Sequence, residues 1–223
     1  MHSLPTLPVP KFEFNDSWIL YADEHIIVIN KPSGLLSVAG RGPEKYECVL
    51  YHLEAKFADA KIVHRLDMDT SGIMVLARDA DSHRHISRQF QERQTQKTYH
   101  AVCAGLPCET SGKVNLPMRC DWERRPRQMI DFKQGKGATT HWRVQQQADN
   151  CFLVELTPIT GRSHQLRLHM KSLGHPILGD NLYADPISLK QAPRLMLHAS
   201  QLSFQHPKSL QTLEFYCPSE FVV

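Results

Sequence analysis

The chain of 223 residues lacks an apolar run long enough to cross a membrane, and no secretory pattern precedes its first apolar segments. Its six cysteines form no C-x-x-C pair and no framework spacing, and a chain of this length folds without disulfide bonds. A hydrophobic fraction of 41% allows a sizeable core and argues against extended disorder. These features predict a cytoplasmic protein with reduced thiols and no membrane association.

Signals for a metal or a cofactor are equally scarce. The segment Gly135-Lys136-Gly137 lacks the other residues of a phosphate-binding loop and is typical of a turn between strands. Among the thirteen histidines, His164 and His169 are five apart and no H-x-x-x-H pair occurs, while the cysteines lie far off in sequence. We expect no metal site and no cofactor.

Carboxylates are absent from residues 156–179, a stretch that carries two arginines, one lysine and three histidines. Residues 113–136 hold seven Lys or Arg residues against three acids, with Trp122 among them. The formal net charge of +3 is therefore unevenly distributed. Such separation predicts a basic face for a phosphate backbone, although a solvated surface is the commoner explanation of any single basic run.

Short apolar runs of the strand type dominate the chain. They lie at residues 18–21, 26–29, 72–77, 98–104, 139–144, 152–156 and 195–204. Three segments have helical periodicity, at 48–57, 81–93 and 163–173, with Asp79 or Asp81 capping the second and Gly174 ending the third. The pattern predicts an α+β fold with a mixed, mostly antiparallel sheet core and a few flanking helices. Residues 1–15 are expected to form an N-terminal tail, and residues 16–223 a single domain.

The most distinctive stretch is His64-Arg65-Leu66-Asp67-Met68-Asp69-Thr70-Ser71-Gly72, which is followed at once by an apolar run. In an extended backbone Arg65 and Asp67 point the same way while Leu66 faces the core. A turn that delivers this pair into a buried strand can keep one carboxylate ionised and shielded from water. The alternative is a structural ion pair at a loop corner, which a lone R-x-D favours slightly.

Five blocks in a fixed order resemble the RluA family of RNA pseudouridine synthases. They are 30–38 (NKPSGLLSV), 64–72 (HRLDMDTSG), 97–99 (KTY), 161–170 (GRSHQLRLHM) and 197–199 (LHA). The resemblance extends from about residue 17 to 218, and the basic segment 120–128 (CDWERRPRQ) resembles one member of the family rather than the family at large. Because the first block begins by residue 30, we expect no counterpart of the small basic RNA-binding module that some relatives carry before the catalytic domain.

The resemblance implies an isomerase that breaks the bond from the uracil nitrogen to the sugar, turns the base and joins the sugar to a ring carbon. Nothing is added or removed, so no cofactor or metal is required. The step needs a carboxylate beside the anomeric carbon, as in enzymes that cleave glycosidic bonds. The resemblance assigns this role to Asp67, whether it attacks the sugar, attacks the base or assists elimination to a glycal.

Two further catalytic residues are implied by the resemblance. Arg167 is expected to pair with Asp67 and to keep it ionised through its opposite charge. Tyr99 is expected to stack on the extruded uracil, with its hydroxyl near the proton lost late in the reaction. Judged from the residues alone, Arg167 is a phosphate contact or a solvated helix side chain, and Tyr99 is an ordinary sheet tyrosine.

The target base must leave its stack, which costs a few kcal/mol that phosphate contacts offset. The resemblance makes Arg65 the residue that fills the vacated space in the RNA. The remaining expected substrate contacts are Arg124, Arg125, Arg127, Arg162 and Leu197. A solvated loop explains the arginines of 124–127 equally well.

The leading hypothesis is an RNA pseudouridine synthase that acts on structured loops of 23S ribosomal RNA, of tRNA anticodon stem-loops, or of both. A second hypothesis is a catalytically inactive RNA-binding domain on the same scaffold, which the intact Asp67, Tyr99 and Arg167 disfavour. A third is a glycoside hydrolase, which the lack of a second carboxylate block disfavours. No dimerisation stripe is present, so we expect a monomer without an obligate protein partner.

Overall fold

A computed structural model describes residues 10–223 of the chain. These residues divide into two compact units, unit 1 with residues 10–95 and Ser203–Phe215, and unit 2 with Gln96–Leu202 and Tyr216–Val223. Of the predicted tail, residues 1–9 lie outside the described residues. Within the described chain, no helix combines the length and the apolar character needed to cross a bilayer.

Twelve strands and four α-helices make up the regular structure of residues 10–223. In chain order they are β1 (Ile19–Ala22), β2 (Ile26–Lys31), α1 (Val49–Leu53), β3 (Lys61–Ile62), β4 (Ser71–Ala77), α2 (Ala80–Gln91), β5 (Gln96–Ala104), β6 (Ser111–Asn115), β7 (Met118–Cys120), β8 (Gln128–Ile130), β9 (Thr139–Gln147), β10 (Cys151–Pro158), α3 (Gln165–Ser172), α4 (Pro186–Lys190), β11 (Leu197–Gln205) and β12 (Thr212–Tyr216). Two short 3-10 helices lie at Asp16–Trp18 and Pro43–Lys45.

Unit 1 is organised around two buried strands, β2 and β4. Every residue of β4 is buried, as are the four isoleucine and valine residues that open β2, which explains why both segments are apolar without alternation. The two strands pair antiparallel, with Ile29 opposite Met74 and Lys31 opposite Gly72. This register places Lys31, the last residue of β2, beside the start of β4 and the loop that precedes it.

Helix α2 packs against β4 in the same unit. It begins where the Asp79 carboxylate accepts the N–H groups of Asp81 and Ser82, the predicted N-cap. Ile86 is fully buried and Phe90 half-buried, so the helix anchors β4 from one face.

Unit 2 contains an antiparallel sheet in the order β5-β10-β9-β6, in which Tyr99 pairs with Leu156. Tyr99, Ala101 and Cys103 share one face of β5; Ala101 and Cys103 belong to one core cluster, and Tyr99 packs against it. Helix α3 contributes Leu166 and Met170 to this cluster. Helix α3, with its polar residues, is therefore packed against this sheet.

The predicted α+β class, sheet-dominated with few helices, is confirmed. Helix α3 is shorter than the predicted 163–173, because His164 adopts a left-handed backbone with φ 55° and Gln165 is the first helical residue. Gly174 ends it at φ 87°, as predicted. The prediction missed α4, whose five residues show no periodicity, and the short strands β3, β6, β7, β8 and β12.

Candidate active site

Asp67 lies in a loop, residues 64–70, that leads into β4. The Thr70 N–H donates to the Asp67 carbonyl at 3.1 Å, which closes a turn. Leu66 is buried, while Arg65 is exposed and Asp67 is half-buried. The loop therefore presents a carboxylate at the surface on a backbone that is anchored by the core.

A second segment, residues 31–37, binds the backbone of this loop, and we call this segment the clamp. Ser37 Oγ donates to the Leu66 carbonyl at 2.7 Å and accepts the Leu66 N–H at 3.1 Å. On the far side of the aspartate, Ser33 Oγ donates to the Asp69 carbonyl at 2.6 Å. Each hydroxyl binds a neighbouring peptide group, so the backbone is held on both sides of the catalytic candidate.

Lys31 completes the clamp from inside the protein. Its side chain is 0% exposed, and Nζ donates to the carbonyls of Pro32 at 2.8 Å, Leu35 at 2.7 Å and Met68 at 2.9 Å. The three acceptors match the three N–H groups of an ammonium. The Met68 carbonyl also accepts the Gly34 N–H at 2.9 Å, so the residue after Asp67 is bound twice.

Burial and nearby acids have opposite effects on the pKa of Lys31. Burial lowers its pKa to about 7 from an ordinary 10.5, because a desolvated ammonium is unfavourable. Coulombic attraction to Asp69 and Asp67 acts in the opposite direction and favours the charged form. The clamp thus holds the Lys31 amine where it interacts electrostatically with both carboxylates of the loop.

His64 fixes the other end of the loop. Its imidazole stacks on the Phe90 ring of α2, with centroids 4.3 Å apart and planes inclined by 17°. His64 Nε2 accepts the Val75 N–H of β4 at 3.0 Å. His64, the first residue of the block 64–72, therefore joins the loop to both α2 and β4.

In unit 2, Tyr99 is half-buried on β5 and packs against the core cluster. Leu197, the predicted substrate contact in the closing block, is 3% exposed and belongs to the same cluster. The structure thus brings Tyr99 and Leu197 together, and Leu197 supports the sheet face that carries the tyrosine.

Arg167 is a buried arginine on α3, 2% exposed, with a carboxylate partner inside unit 2. Its Nε and Nη2 donate to the two oxygens of Asp180 at 2.9 and 2.6 Å, and Nη2 also donates to Asn181 Oδ1 at 3.1 Å. This bidentate contact fixes the guanidinium plane. Arg167 is therefore neither a solvated helix side chain nor a mobile phosphate contact.

Arg162 precedes α3 and is exposed. Its backbone N–H donates to Gln165 Oε1 at 3.0 Å, and Thr160 Oγ1 donates to the same oxygen at 2.7 Å. The buried Gln165 thus fixes the turn from which the Arg162 side chain projects.

The basic segment forms a hairpin, β7 and β8 with the residues between them. Trp122 is 67% exposed, and the Arg125 guanidinium lies over its ring at 5.1 Å from the centroid. Arg124 Nε donates to the buried Asp121 carboxylate at 2.8 Å, whereas Arg127 is half-buried and directly precedes β8. Arg125 is thus an exposed cation stacked on an aromatic ring in this hairpin.

Each of the two units contains some of the predicted site residues. Arg65 and Asp67 belong to unit 1. Unit 2 holds Tyr99, Arg124, Arg125, Arg127, Arg162, Arg167 and Leu197. The pairing of Asp67 with Arg167 stays a prediction.

Comparison with known proteins assigns the family. The model of the RNA pseudouridylate synthase family matches residues 25–172. A curated relative from Pasteurella multocida, named dual-specificity RNA pseudouridine synthase RluA, is 50% identical over 204 residues, which is 91% of this chain and 93% of the relative. The protein of the same name from Escherichia coli K12 is 48% identical over the same shares of both chains. The chain belongs to the RNA pseudouridylate synthase family.

Solved structures agree with this assignment. Human RNA pseudouridylate synthase domain containing 1 superposes with a TM-score of 0.79 at 28% identity, covering 95% of this chain and 88% of the human one. The human domain containing 4 gives a TM-score of 0.73 at 30% identity, over 90% and 87% of the two chains. This pseudouridylate synthase is thus an isomerase with an RNA substrate, and neither an inactive binding domain nor a glycoside hydrolase is favoured.

Three supporting residues of this synthase were missed by the sequence analysis. Lys31 is a lone charge at the end of an apolar run, a pattern that signals a buried cation. Asp180 is the first carboxylate after the acid-free stretch that holds Arg167, which is a usable signal for its partner. Tyr183, whose ring lies under the Arg167 guanidinium at 5.4 Å, shows no signal in the sequence.

Lys31→Met is expected to lower the free energy of unfolding by about 3 kcal/mol, since each buried acceptor left without its donor costs about 1–3 kcal/mol. The folded pKa of Lys31, about 7, lies below the ordinary 10.5, so the unfolded chain binds more protons between these values. Its contribution to stability therefore rises as the pH rises from 7, and Lys31→Met loses that rise. Urea unfolding at pH 7, 8 and 9 measures both effects.

The matched control is Lys208→Met, which removes an exposed lysine of the same unit. We expect it to keep the wild-type stability and pH dependence. A Lys31→Met protein as stable as the wild type across this range would show that the three carbonyl contacts do not stabilise the fold.

Proposed function

We propose that this pseudouridylate synthase modifies uridines in structured loops of 23S ribosomal RNA and of tRNA anticodon stem-loops. Relatives about half identical over 91% of the chain carry the name dual-specificity RNA pseudouridine synthase. The Trp122–Arg125 stack offers both a cation and an aromatic face, the two features that single-stranded loops bind. These observations favour a folded RNA loop as the substrate.

The reaction breaks the bond between the uracil nitrogen and the sugar carbon and forms a bond from that carbon to a carbon of the turned ring. We propose Asp67 as the carboxylate that acts at this centre. Support comes from the clamp, which binds the peptide groups on either side of Asp67 and holds the Lys31 amine where it interacts electrostatically with that carboxylate. Catalytic groups need such preorganisation, because small displacements cost large factors in rate.

Arg167 and Tyr99 are proposed as the other catalytic residues. Arg167 pairs with Asp67 in this proposal and keeps it ionised, and the rigid contact with Asp180 supports a fixed guanidinium in that role. Tyr99 stacks on the extruded uracil, and its half-buried position on a packed strand face supports a ring held in one orientation.

Several residues are proposed to contact the RNA outside the reaction centre. The exposed Arg65 fills the space that the flipped base vacates. Phosphates are bound by the exposed Arg162 and by the hairpin arginines. The arginines of the hairpin are Arg124, Arg125 and Arg127. Leu197 is proposed as an apolar substrate contact.

We propose that residues 16–223 act as one catalytic domain, since the family match runs from 25 to 172 and so includes residues of both units. The enzyme is proposed to work as a monomer in the cytoplasm, without a cofactor, a membrane or an obligate protein partner. The isomerisation supports the absence of a cofactor, because no atom or electron is gained or lost.

The clamped Asp67 is the observation that carries the proposal, and Asp67→Asn tests it. This variant removes the charge and the nucleophile but little volume, so product is expected to disappear while RNA affinity stays within about twofold. Total RNA from a strain lacking the gene is incubated with the protein, and pseudouridine is mapped by carbodiimide-dependent primer-extension stops. Asp149→Asn, an exposed aspartate between β9 and β10, is the matched control.

New stops with the wild type and with Asp149→Asn, but not with Asp67→Asn, support the assignment. Stops with Asp67→Asn would remove Asp67 from the mechanism. Stops in messenger RNA alone, with none in ribosomal or transfer RNA, would contradict the proposed substrates.

Arg125→Ala is expected to weaken RNA binding and to reduce the slope of log K against log salt by about 1, because one phosphate contact is lost. Filter binding to a stem-loop RNA at 50–200 mM salt measures the slope. The control is Arg143→Ala, an exposed arginine whose Nη2 donates to Glu155 at 3.1 Å. An unchanged slope in Arg125→Ala would exclude a phosphate role for that side chain.

A further inference from the structure

The segment from Gly179 to Tyr183 links the β7–β8 hairpin to α3 within unit 2. Gly179 has φ 70°, and a Cβ at this position would lie 1.9 Å from the Arg194 carbonyl oxygen, so no side chain is tolerated there. The tight turn directs the next residues towards α3. Asp180 then holds Arg167, while its Oδ1 also accepts the N–H groups of Leu182 at 2.9 Å and Tyr183 at 3.1 Å.

Tyr183 is 5% exposed, and its hydroxyl lies between the hairpin and α3. The Gln128 N–H of β8 donates to this hydroxyl at 2.7 Å. The oxygen is also 2.9 Å from His164 Nδ1, on the residue that directly precedes α3. A peptide N–H always donates, so the hydroxyl accepts from Gln128, and a hydroxyl can bind His164 Nδ1 either as donor or as acceptor.

The ring of Tyr183 adds a second connection to the same helix. The Arg167 guanidinium lies 5.4 Å from the ring centroid and the Lys171 ammonium 5.9 Å. One buried side chain therefore contacts a catalytic candidate through its ring and the strand after Arg127 through its hydroxyl.

We propose that Tyr183 is a positioning residue that couples RNA binding by the hairpin to the placement of Arg167. This inference rests on the proposed function, in which the hairpin binds phosphates and Arg167 acts beside Asp67. Phosphate contacts fix β8, and β8 fixes the hydroxyl through Gln128. The hydroxyl in turn holds His164 in the left-handed conformation from which α3 starts, three residues before Arg167.

Tyr183→Phe tests the coupling, because it removes the hydroxyl and keeps the ring under Arg167. The single-turnover rate of pseudouridine formation at saturating protein is expected to fall about tenfold, the effect of an interaction worth about 1.4 kcal/mol. The dissociation constant for the stem-loop RNA is expected to stay within twofold. Tyr216→Phe, which alters a tyrosine of unit 2 that is 67% exposed, is the control and keeps the wild-type rate.

A double-mutant cycle with Arg125→Ala separates coupling from a merely structural role. If Tyr183 transmits the contact, Arg125→Ala slows the single-turnover rate of the wild type but has little further effect in Tyr183→Phe. Additive losses, or a Tyr183→Phe rate equal to that of the wild type, overturn the inference and leave the proposed function intact. A wild-type protein that forms no pseudouridine overturns both.

Discussion

The buried ammonium of Lys31 is the interaction on which the rest of the site depends. Moving an ammonium out of water costs several kcal/mol unless its hydrogen bonds are replaced. The carbonyls of Pro32, Leu35 and Met68 replace all three of them. The Pro32 and Leu35 carbonyls belong to the clamp itself, and the Met68 carbonyl belongs to the loop of Asp67. One buried amine therefore joins the clamp to the loop.

Two buried ions of opposite sign, one in each unit, hold residues of the proposed mechanism. Lys31 holds the loop that carries the proposed catalytic carboxylate, and Asp180 holds the guanidinium of Arg167. The three Lys31 contacts measure 2.7 to 2.9 Å, and the two Arg167–Asp180 contacts measure 2.9 and 2.6 Å. The loop that carries Asp67 and the side chain of Arg167 are therefore each held by a partner that water does not reach, which is the condition for electrostatic preorganisation.

Much of the fold could be predicted from local patterns. The apolar runs of β2 and β4, the Asp79 cap of α2 and the Gly174 end of α3 each depend on residues next to one another in sequence. The short elements could not be predicted, because β7 and β8 have three residues each and owe their pairing to the segment between them. A period of two or of 3.6 cannot be recognised over so few residues.

The sequence proposes catalytic candidates, which stay predictions, but it does not identify the residues that support them in the structure. Asp67, Tyr99 and Arg167 stand in recognisable blocks, whereas Lys31 acts on Met68, thirty-seven residues away, through its tip. Tyr183 meets Gln128 across fifty-five residues. Contacts at such distances follow from the packed strands, and a single sequence does not record which polar tip meets which peptide group.

The most direct test of this account is the single-turnover rate of pseudouridine formation by Lys31→Met. It is measured at saturating protein, under conditions where circular dichroism shows the variant to be folded and the RNA dissociation constant is measured on the same sample. The account predicts a rate at least about 100-fold below that of the wild type, the cost of a small displacement of the carboxylate, with RNA affinity unchanged. A folded Lys31→Met protein that forms pseudouridine at the wild-type rate would contradict it.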